Sequence, residues 1–440
     1  MNSKKKVIIV GAGSAGLFAA IKLAGKVDVT VIDKGHDIEE RSCQVSLRGQ
    51  CTKCNPCNII YGAGGAGLFS DGKLIFNTNI GTNLAELVDK KKVEKLISLV
   101  EKGFAYYDIT AVEDEAEKVA ELKKKAMQHG IDFVHSRQAH IGSDKLSALM
   151  IKVRDDLKKS GVKFIFNKEV NNLEPLEYDA IILAPGRGGA TWLEEILHSH
   201  YIPFTYRPVD IGVRVEVKRE IAADIVNISR DMKFYLISDK YNDKVRTFCT
   251  CPDGYVDIEA HGVFVLVNGH SDAENSSGNT NFAVLVTIPL TEPLVNTNTY
   301  ANLIARLFNG LGGQKPILQR LGDIKKGRRS REGNQKKFMF EPTLKDVTYG
   351  DITLAMPGRY MESIINAIDR LDSIMPGLAN DSTILYGPEL KFHGLKVETD
   401  EYLCAGSNIY VAGDGAGVSR GIVGAAASGI LAAEGVLRKE

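Results

Sequence analysis

The chain has 440 residues, 44% of them hydrophobic, and its 55 lysine and arginine residues are balanced by 55 aspartate and glutamate residues. This length predicts two or three domains. The balanced charge argues against nucleic acid or an anionic membrane surface as a partner. No apolar run is long enough to span a membrane, and glycines interrupt the apolar run that begins at Val7, so we expect neither a membrane span nor a secretory signal. We therefore predict a cytoplasmic protein.

The first predicted elements are a strand at Val7–Val10, a glycine turn at Gly11–Gly16, a helix, and a strand at Val27–Ile32 that ends at Asp33. The turn has the spacing G-x-G-x-x-G, which allows a tight turn, a close approach of the backbone to a pyrophosphate and close helix–strand packing. The helix N-terminus offers free N–H groups to phosphates. Asp33 lies at the spacing expected of a carboxylate that binds ribose hydroxyls. This unit predicts dinucleotide binding.

Two later segments have the same strand-to-turn form. Ala180–Ala184 is an apolar strand that ends in Pro185-Gly186, and Ile409–Ala412 is followed by Gly413-Asp414 and an Ala/Gly-rich helix. This aspartate resembles the one that holds the ribityl chain in FAD proteins of the glutathione-reductase and hydroxybenzoate-hydroxylase type. A helix beginning near Gly421 would direct its positive end at the flavin pyrimidine. No second G-x-G-x-x-G follows a strand, so NAD(P)H is expected only as a transient electron donor.

From Ile211 the hydrophobic period approaches two, which predicts a largely antiparallel sheet containing Ile211–Val217, Val263–Val267 and Phe282–Ile288. We therefore expect an α/β fold, in which a three-layer Rossmann-like FAD/NAD(P)-binding domain is interrupted by a β-rich α+β substrate domain. The FAD-binding domain is predicted to comprise three stretches of sequence, 1–83, 139–207 and 396–440. A helical insertion (84–138) separates the first two stretches, and the substrate or cap domain (208–395) separates the last two.

Four segments resemble the FAD-dependent dehydrogenase-like flavoproteins of bacteria and archaea: Gly62–Lys73, His140–Asp144, Cys249–Gly254 and Tyr386–Phe392. More distantly, the chain resembles the one-Rossmann geranylgeranyl reductases of the glutathione-reductase-2 type and the thiazole-synthase flavoproteins. The resemblance implies this fold and FAD, and it implies no defined substrate. In related flavoproteins the loop after the second strand runs along the diphosphate and the ring, and glycines let its backbone lie flat against a ligand.

The residues predicted to contact FAD lie at strand ends, in the glycine-rich loop and at the start of the last helix. Within that loop, polar contacts are expected from side chains near its end. The predicted cofactor residues are Gly11, Gly13, Ser14, Ala15, Gly16, Asp33, Lys34, Gly64, Gly65, Ala66, Ser70, Asp71, Lys73, Val170, Ala184, Gly186, Gly413, Asp414, Gly421, Ile422 and Val423.

Four of the seven cysteines are clustered, at Cys43, Cys51, Cys54 and Cys57. Two-residue spacings let thiolates converge, and four thiolates complete a zinc site or hold an iron–sulfur cluster. The motif also permits a reversible dithiol/disulfide pair near the flavin, and unreactive loop cysteines are a third interpretation. A one-electron centre near the flavin could divide its electron pair, which favours iron–sulfur over zinc.

Candidate catalytic residues lie in the β-rich region. His270 follows a predicted strand and suits proton transfer near neutral pH. Cys249 and Cys251 occupy alternate positions of a strand, so both are expected to face one side and to border the flavin or the substrate, although small packed residues are the plainer interpretation. Weaker candidates are His140, His393 and the basic run Arg328–Arg331, which would hold an anionic substrate or a nicotinamide phosphate unless it is solvated surface.

Together these features predict an FAD-dependent oxidoreductase that transfers electrons between the flavin and an unidentified small organic substrate. In a first alternative, the cysteine cluster exchanges electrons with FAD, and an electron-carrier protein or another protein partner reads the redox state. In a second alternative, the chain is a biosynthetic flavoprotein like the thiazole synthases, and the nucleotide is substrate rather than catalyst.

Overall fold

The computed structural model describes residues 4–43, 54–70, 72–112, 115–261, 264–271, 275–290, 293–333, 338–392 and 394–438. The strands are β1 (Lys6–Val10), β2 (Asp28–Ile32), β3 (Lys73–Ile75), β4 (Asp132–Phe133), β5 (Gln138–His140), β6 (Lys163–Ile165), β7 (Ala180–Leu183), β8 (Phe204–Tyr206), β9 (Val209–Lys218), β10 (Phe234–Ile237), β11 (Lys244–Cys251), β12 (Tyr255–His261), β13 (Phe264–His270), β14 (Asn279–Ile288), β15 (Ile317–Arg320), β16 (Thr348–Tyr349), β17 (Ile384–Lys391), β18 (Leu395–Val397), β19 (Cys404–Gly406) and β20 (Ile409–Val411). The α-helices are α1 (Ser14–Leu23), α2 (Lys90–Ala105), α3 (Ala116–Gln128), α4 (Ser143–Lys159), α5 (Ala190–Ser199), α6 (Arg219–Val226), α7 (Thr297–Gly312), α8 (Leu321–Lys325), α9 (Gly358–Leu371) and α10 (Ile422–Arg438).

The chain divides into two compact units, each assembled from separate stretches of sequence. The first contains Met1–Val112, Ser136–Arg207 and His393–Glu440, and the second contains Glu113–His135 and Pro208–Phe392. Residues 84–138, predicted as one helical insertion, are shared between them, because α2 lies in the first unit and α3 and β4 lie in the second.

The first unit is built on a six-stranded sheet with the order β19-β20-β7-β1-β2-β6. All pairings from β20 to β6 are parallel, and only β19 is antiparallel. The carboxyl ends of β1, β2, β7 and β20 therefore meet at one edge of the sheet, the usual position of a ligand in an open α/β sheet. This sheet, together with the β-rich second unit, confirms the predicted α/β fold.

Small residues let the last helix pack into the core of the first unit. α10 packs against α1 so closely that a Cβ on Gly429 would lie 2.0 Å from the carbonyl oxygen of Ala15. This contact explains the Ala/Gly-rich composition of α10, whose inner face has no room for larger side chains. Among the residues that the structure describes, no helix is long and apolar enough to cross a bilayer.

The second unit contains an eight-stranded sheet with the order β16-β15-β17-β9-β14-β11-β10-β4. In β9 the odd-numbered valines and Ile211 face a hydrophobic core, and the even-numbered residues face the other side. An antiparallel strand that alternates in this way usually exposes its polar side to solvent. Here both sides of β9 are buried, because β13 packs so closely that a Cβ on Gly269 would lie 2.1 Å from the guanidinium of Arg214.

Residues paired across neighbouring strands share one face of a sheet. By register, Asn281 lies opposite Glu216, Gly212 lies opposite Glu389, and Asp210 lies opposite Lys391. The buried side of this sheet opposite its hydrophobic core therefore collects charged and amide side chains. We call this set the polar face: Asp210, Arg214, Glu216, Asn281, Glu389 and Lys391.

Candidate functional site

The turn between β1 and α1 has a conformation that only glycine accommodates. Gly11 has a φ of +107°, and a Cβ there would lie 2.1 Å from the carbonyl oxygen of Ala184 at the end of β7. A Cβ on Gly16 would lie 1.9 Å from the carbonyl oxygen of Gly11. We call residues 11–16 the dinucleotide loop. No side chain caps the start of α1 at Gly13, so its first N–H groups can donate to a ligand, as diphosphate binding requires.

Asp33 connects this loop to the end of β2. Its Oδ2 accepts the N–H of Ala12 and its Oδ1 accepts the N–H of Gly35, each at 2.8 Å. A carboxylate oxygen has two lone pairs, so each oxygen can still accept a ribose hydroxyl. The carboxylate therefore lies at the end of β2 beside the dinucleotide loop, and its contact with a ribose stays a prediction.

A partly open cavity lies at these strand ends. Trp192 closes one wall, where its indole N–H donates to the carbonyl oxygen of Val170 at 2.5 Å. Lys34 lies 3.9 Å from the ring centroid of Tyr61 and pairs with Glu169 at 3.3 Å. The lining residues are Val10, Gly11, Ile32, Asp33, Lys34, Tyr61, Lys168, Glu169, Val170, Pro185, Gly189 and Trp192.

Four of these lining residues were predicted from the sequence: Gly11, Asp33, Lys34 and Val170. Tyr61 and Trp192, the aromatic walls, were missed. Trp192 is the only tryptophan of the chain, and its isolation in the sequence was a signal that could have been used. Tyr61 directly precedes the glycine-rich segment, and its hydroxyl donates to the carbonyl oxygen of Gly188 at 2.7 Å.

Arg41 was also not predicted from the sequence, and its side chain binds the backbone of the glycine-rich loop. Its guanidinium donates to the carbonyl oxygens of Asn58, Ile59, Ala63 and Gly65 at 2.5 to 3.0 Å. Burial lowers the pKa of Arg41 to about 10, although the nearby Asp33 and Cys57 act to raise it. Arg41 therefore keeps its positive charge at neutral pH and places it beside the loop.

The dinucleotide loop and the glycine-rich loop that begins at Gly62 are in contact. The N–H of Gly64 donates to the carbonyl oxygen of Ala12 at 2.9 Å, and a Cβ on Gly65 would lie 3.0 Å from the Cα of Gly13. The hydroxyl of Ser70 is used within the loop, where it donates to Gly67 at 2.7 Å. Gly13, Gly64 and Gly65, which were predicted to contact the cofactor, therefore lie close together.

The C-terminal strand end lies at the same edge of the sheet. Asp414 accepts the hydroxyl of Ser419 at 2.6 Å and lies 3.4 Å from Arg187. A Cβ on Gly415 would lie 2.5 Å from the carbonyl oxygen of Gly186, and one on Gly413 would lie 3.1 Å from the Cβ of Ala15. The three strand-end turns predicted from the sequence are therefore neighbours.

The remaining predicted cofactor residues also belong to the first unit. Ser14 and Ala15 form the first turn of α1, and Ala184 and Gly186 follow β7. The others are Ala66 in the 3-10 helix Ala66–Phe69, Lys73 at the start of β3, and Gly421, Ile422 and Val423 at the start of α10. Asp71 lies outside the described residues. Ligand contact of each of these residues stays a prediction.

The cysteine cluster is described incompletely, because Cys51 lies outside the described residues. Burial raises the pKa of Cys57, and the nearby Cys54 and Cys43 raise it further. Across the described ranges, no group of three Cys, His, Asp or Glu side chains is arranged to hold a metal ion. The zinc or iron–sulfur centre stays a prediction.

The predicted catalytic residues lie in the second unit. The ring of His270 stacks on Tyr255, with 5.6 Å between centroids, and its Nδ1 lies 3.5 Å from Asp257. A β-bulge lies between Phe248 and Cys251 and gives Cys249 a φ of +49°. Cys249 and Cys251 were expected to face one side because side chains alternate along a regular strand. The bulge interrupts that alternation between them. Cys251 is buried and Cys249 is half-buried.

The weaker candidates have mainly structural contacts. Arg328 and Ser330 bind Asp323, each at 2.8 Å, and hydrogen bonds from these residues and Arg320 lower the pKa of Asp323 to about 2 although its burial acts to raise it. His140 pairs with Lys73 in the two-stranded sheet of β3 and β5. His393 lies outside the described residues. The predicted basic run therefore contributes to an internal ion-pair network.

A parallel sheet with a dinucleotide loop, a carboxylate at the second strand end and a cavity beside it defines a dinucleotide-binding protein of the one-Rossmann class. The family model for FAD-dependent protein, C-terminal domain-like, matches residues 208–391, and that for glucose inhibited division protein A matches residues 6–172. With these matches the predicted class is confirmed: the chain is an FAD-dependent oxidoreductase.

The similar proteins are distant. An uncharacterized protein of Clostridium beijerinckii is 26% identical over 476 residues, which cover 99% of this chain and 81% of that protein. L-proline dehydrogenase from P. horikoshii is 12% identical with a TM-score of 0.41, covering 100% of this chain and 95% of that chain. Glycine oxidase from Geobacillus kaustophilus is 12% identical with a TM-score of 0.39, covering 99% and 96%.

Proposed function

We propose that the first unit binds FAD at the carboxyl ends of β1, β2, β7 and β20, and that the chain transfers electrons between the flavin and a small organic substrate. The observation that carries this proposal is the Asp33 carboxylate, which hydrogen-bonds the dinucleotide loop and borders the cavity at the strand ends. Bound FAD supplies the redox chemistry of its isoalloxazine ring, and the protein supplies binding and orientation.

Each region of the site suits one portion of FAD. Trp192 and Tyr61 offer flat walls to an adenine, and Asp33 accepts ribose hydroxyls. The N-terminus of α1 and the positive charge of Arg41 favour a diphosphate. Asp414, at the end of β20, would accept a hydroxyl of the ribityl chain.

The test compares two aspartates at opposite ends of β2. Asp33→Asn removes one charged acceptor for the loop and the ribose, whereas Asp28→Asn changes an exposed residue. We expect FAD to bind the apoprotein of the Asp33→Asn variant at least about tenfold more weakly than wild type, because a charge-assisted hydrogen bond is lost. Calorimetric titration with FAD measures this effect, and Asp28→Asn should match wild type. Absence of flavin absorbance after reconstitution of the wild-type chain would contradict the proposal.

A second function is favoured by the C-x2-C spacing of Cys54 and Cys57, in a stretch of sequence that also contains Cys43 and Cys51. Cysteines at this spacing can form a disulfide that accepts two electrons, so we propose the cluster as an electron relay between the flavin and a protein partner. In this function the chain would act as an electron-transfer or redox-sensing protein, and a cytoplasmic electron carrier would be its partner.

An anaerobic reductive titration distinguishes the two functions. FAD alone takes up two electrons per chain, and a coupled disulfide takes up two more. Cys57→Ser should remove the additional uptake and leave flavin binding unchanged, while Cys404→Ser, far from the cluster in sequence, should leave both unchanged. Uptake of two electrons by the oxidised wild-type chain would exclude the disulfide relay. Metal analysis of the same sample tests zinc and iron, and NADH and NADPH as reductants test a transient nicotinamide donor.

A further inference from the structure

Arg154 is a buried cation of α4 that binds the stretch of chain ahead of Arg41. Its guanidinium donates to Glu39 through both terminal nitrogens, at 2.5 and 2.8 Å, and its Nη1 also lies 2.7 Å from Asp37. The side chain of Arg154 is only 7% exposed. Water therefore screens these ion pairs weakly, and the two-point contact with Glu39 fixes the orientation of the carboxylate as well as its distance.

The ion pairs of Arg154 stay charged at neutral pH. Hydrogen bonds from Arg154 lower the pKa of Glu39 to about 2, although burial acts to raise it. Lys158, one turn further along α4, lies 3.6 Å from the other oxygen of Asp37. Asp37 caps the 3-10 helix Ile38–Glu40, whose first N–H it accepts at 2.8 Å, and Glu39 lies within that helix. α4 therefore holds this short helix through two acidic side chains.

The glycine-rich loop is anchored on both sides of this short helix. Arg41 follows the helix, and its guanidinium binds four backbone carbonyl oxygens of residues 58–65. His36 precedes the helix, and its carbonyl oxygen accepts the N–H of Ala63 at 3.0 Å. We call residues 36–41 the anchor segment. Its two ends hold the glycine-rich loop, and Arg154 holds its middle.

α4 also contacts the glycine-rich loop directly. A Cβ on Gly64 would lie 3.4 Å from the Cγ of Met150, which is one turn before Arg154 on the same face of α4. Gly64 in turn donates its N–H to the carbonyl oxygen of Ala12 in the dinucleotide loop, at 2.9 Å. A continuous series of contacts therefore runs from Arg154 through the anchor segment and the glycine-rich loop to the dinucleotide loop.

We propose that Arg154 is a positioning residue for FAD, which acts through the anchor segment and holds the two glycine loops in their binding conformation before the cofactor arrives. Without its ion pairs, the anchor segment and the loop would become ordered only on binding, and this loss of entropy weakens affinity. Supports of this kind keep binding groups in place. The inference deepens the proposed function and rests on the binding of FAD by the first unit.

Arg154→Met removes the ion pairs and keeps an apolar side chain at this buried position. We expect FAD to bind the apoprotein of this variant at least about tenfold more weakly than wild type, with a less favourable binding entropy, as measured by calorimetric titration. Arg154→Lys keeps the charge without the two-point contact and should recover part of the affinity. Lys159→Met changes an exposed residue of α4 that pairs with Asp156, and it should match wild type.

Hydrogen exchange of the apoprotein, followed by mass spectrometry, measures the order of the loop without the cofactor. The N–H groups of Ala63 and Gly64 are hydrogen-bonded, so they should exchange slowly in wild type. In Arg154→Met we expect these two positions to exchange at least about tenfold faster, whereas the core strand β7 keeps its wild-type rate. FAD should restore the protection of the loop. A role in global stability alone would accelerate exchange in β7 as well.

Two outcomes overturn the proposal: unchanged FAD affinity in a folded Arg154→Met chain, or unchanged exchange at Ala63 and Gly64. If Arg154→Met does not fold, as judged by circular dichroism, Glu39→Gln provides the second variant. It replaces a half-exposed partner of Arg154 and should change FAD affinity and loop exchange in the same direction, with the 90% exposed Glu177→Gln as control.

The wild-type titration separates the two hypotheses. A wild-type chain that does not bind FAD refutes the proposed function. A wild-type chain that binds FAD, with an Arg154→Met variant that binds it equally well, refutes this inference alone.

Discussion

The two polar regions of the molecule are built in different ways. At the edge of the first-unit sheet, backbone conformation defines the site: glycines at 11 and 16 are required by contacts under 2.2 Å, and Arg41 holds backbone carbonyls. In the second unit, side chains define the polar face, where Arg214 contacts Asn281 and Glu389, which lie 67 and 175 residues further along the chain. A backbone-built site leaves a contiguous sequence motif, whereas a side-chain-built site is dispersed.

In the first region, the substitution with the largest expected effect on FAD binding is Gly16→Ala. The new Cβ would lie 1.9 Å from the carbonyl oxygen of Gly11, so the dinucleotide loop must move. We expect FAD affinity to fall by about 100-fold, or ~3 kcal/mol, because the diphosphate loses its N–H donors. Titration with FAD measures the loss. Gly310→Ala, in α7 with open space around it, should leave FAD binding intact and stabilise the chain by about 0.5 kcal/mol. Wild-type affinity in Gly16→Ala would show that the loop is not the binding element.

The corresponding change in the second region is Arg214→Met. It leaves Glu389 and Asn281 buried beside an apolar side chain, and the free energy of unfolding should fall by about 3–5 kcal/mol. Urea unfolding monitored by circular dichroism measures this decrease. Arg329→Met, at an exposed arginine, should change the unfolding free energy by less than about 0.5 kcal/mol. If the free energy of unfolding falls no more in Arg214→Met than in Arg329→Met, the polar face does not depend on its buried side chains as described.

A smaller effect is expected at Asp323, whose pKa is lowered to about 2. A carboxylate with a lowered folded-state pKa stabilises the chain above its unfolded value near pH 4, and this stabilisation is lost as the pH falls through 2. We expect Asp323→Asn to be less stable by about 2 kcal/mol at neutral pH, and the difference from wild type to disappear near the folded pKa. Urea unfolding across this pH range checks the prediction, with exposed Asp346→Asn as control. A difference independent of pH would exclude the ionised carboxylate as its cause.

Sequence reasoning succeeded where function depends on local spacing. The dinucleotide loop and Asp33 were predicted because a tight turn and a ribose carboxylate require particular residues at particular intervals. Trp192 and Tyr61 were missed because they reach the cavity from distant segments. The face assignment of Cys249 and Cys251 depended on regular alternation, and a β-bulge interrupts it, since one extra residue shifts the register.

By itself, the sequence determined the class of this protein: strand, glycine turn, helix and Asp33 are consecutive, so their chemistry follows from covalent spacing. Only the tertiary structure decided that both sides of β9 are buried and that α2 and α3 belong to different units. It also decided that Arg214, Lys391 and Glu389 share one polar face. Burial and charge pairing depend on which distant strands become neighbours, and hydrophobic alternation along a single strand does not specify them.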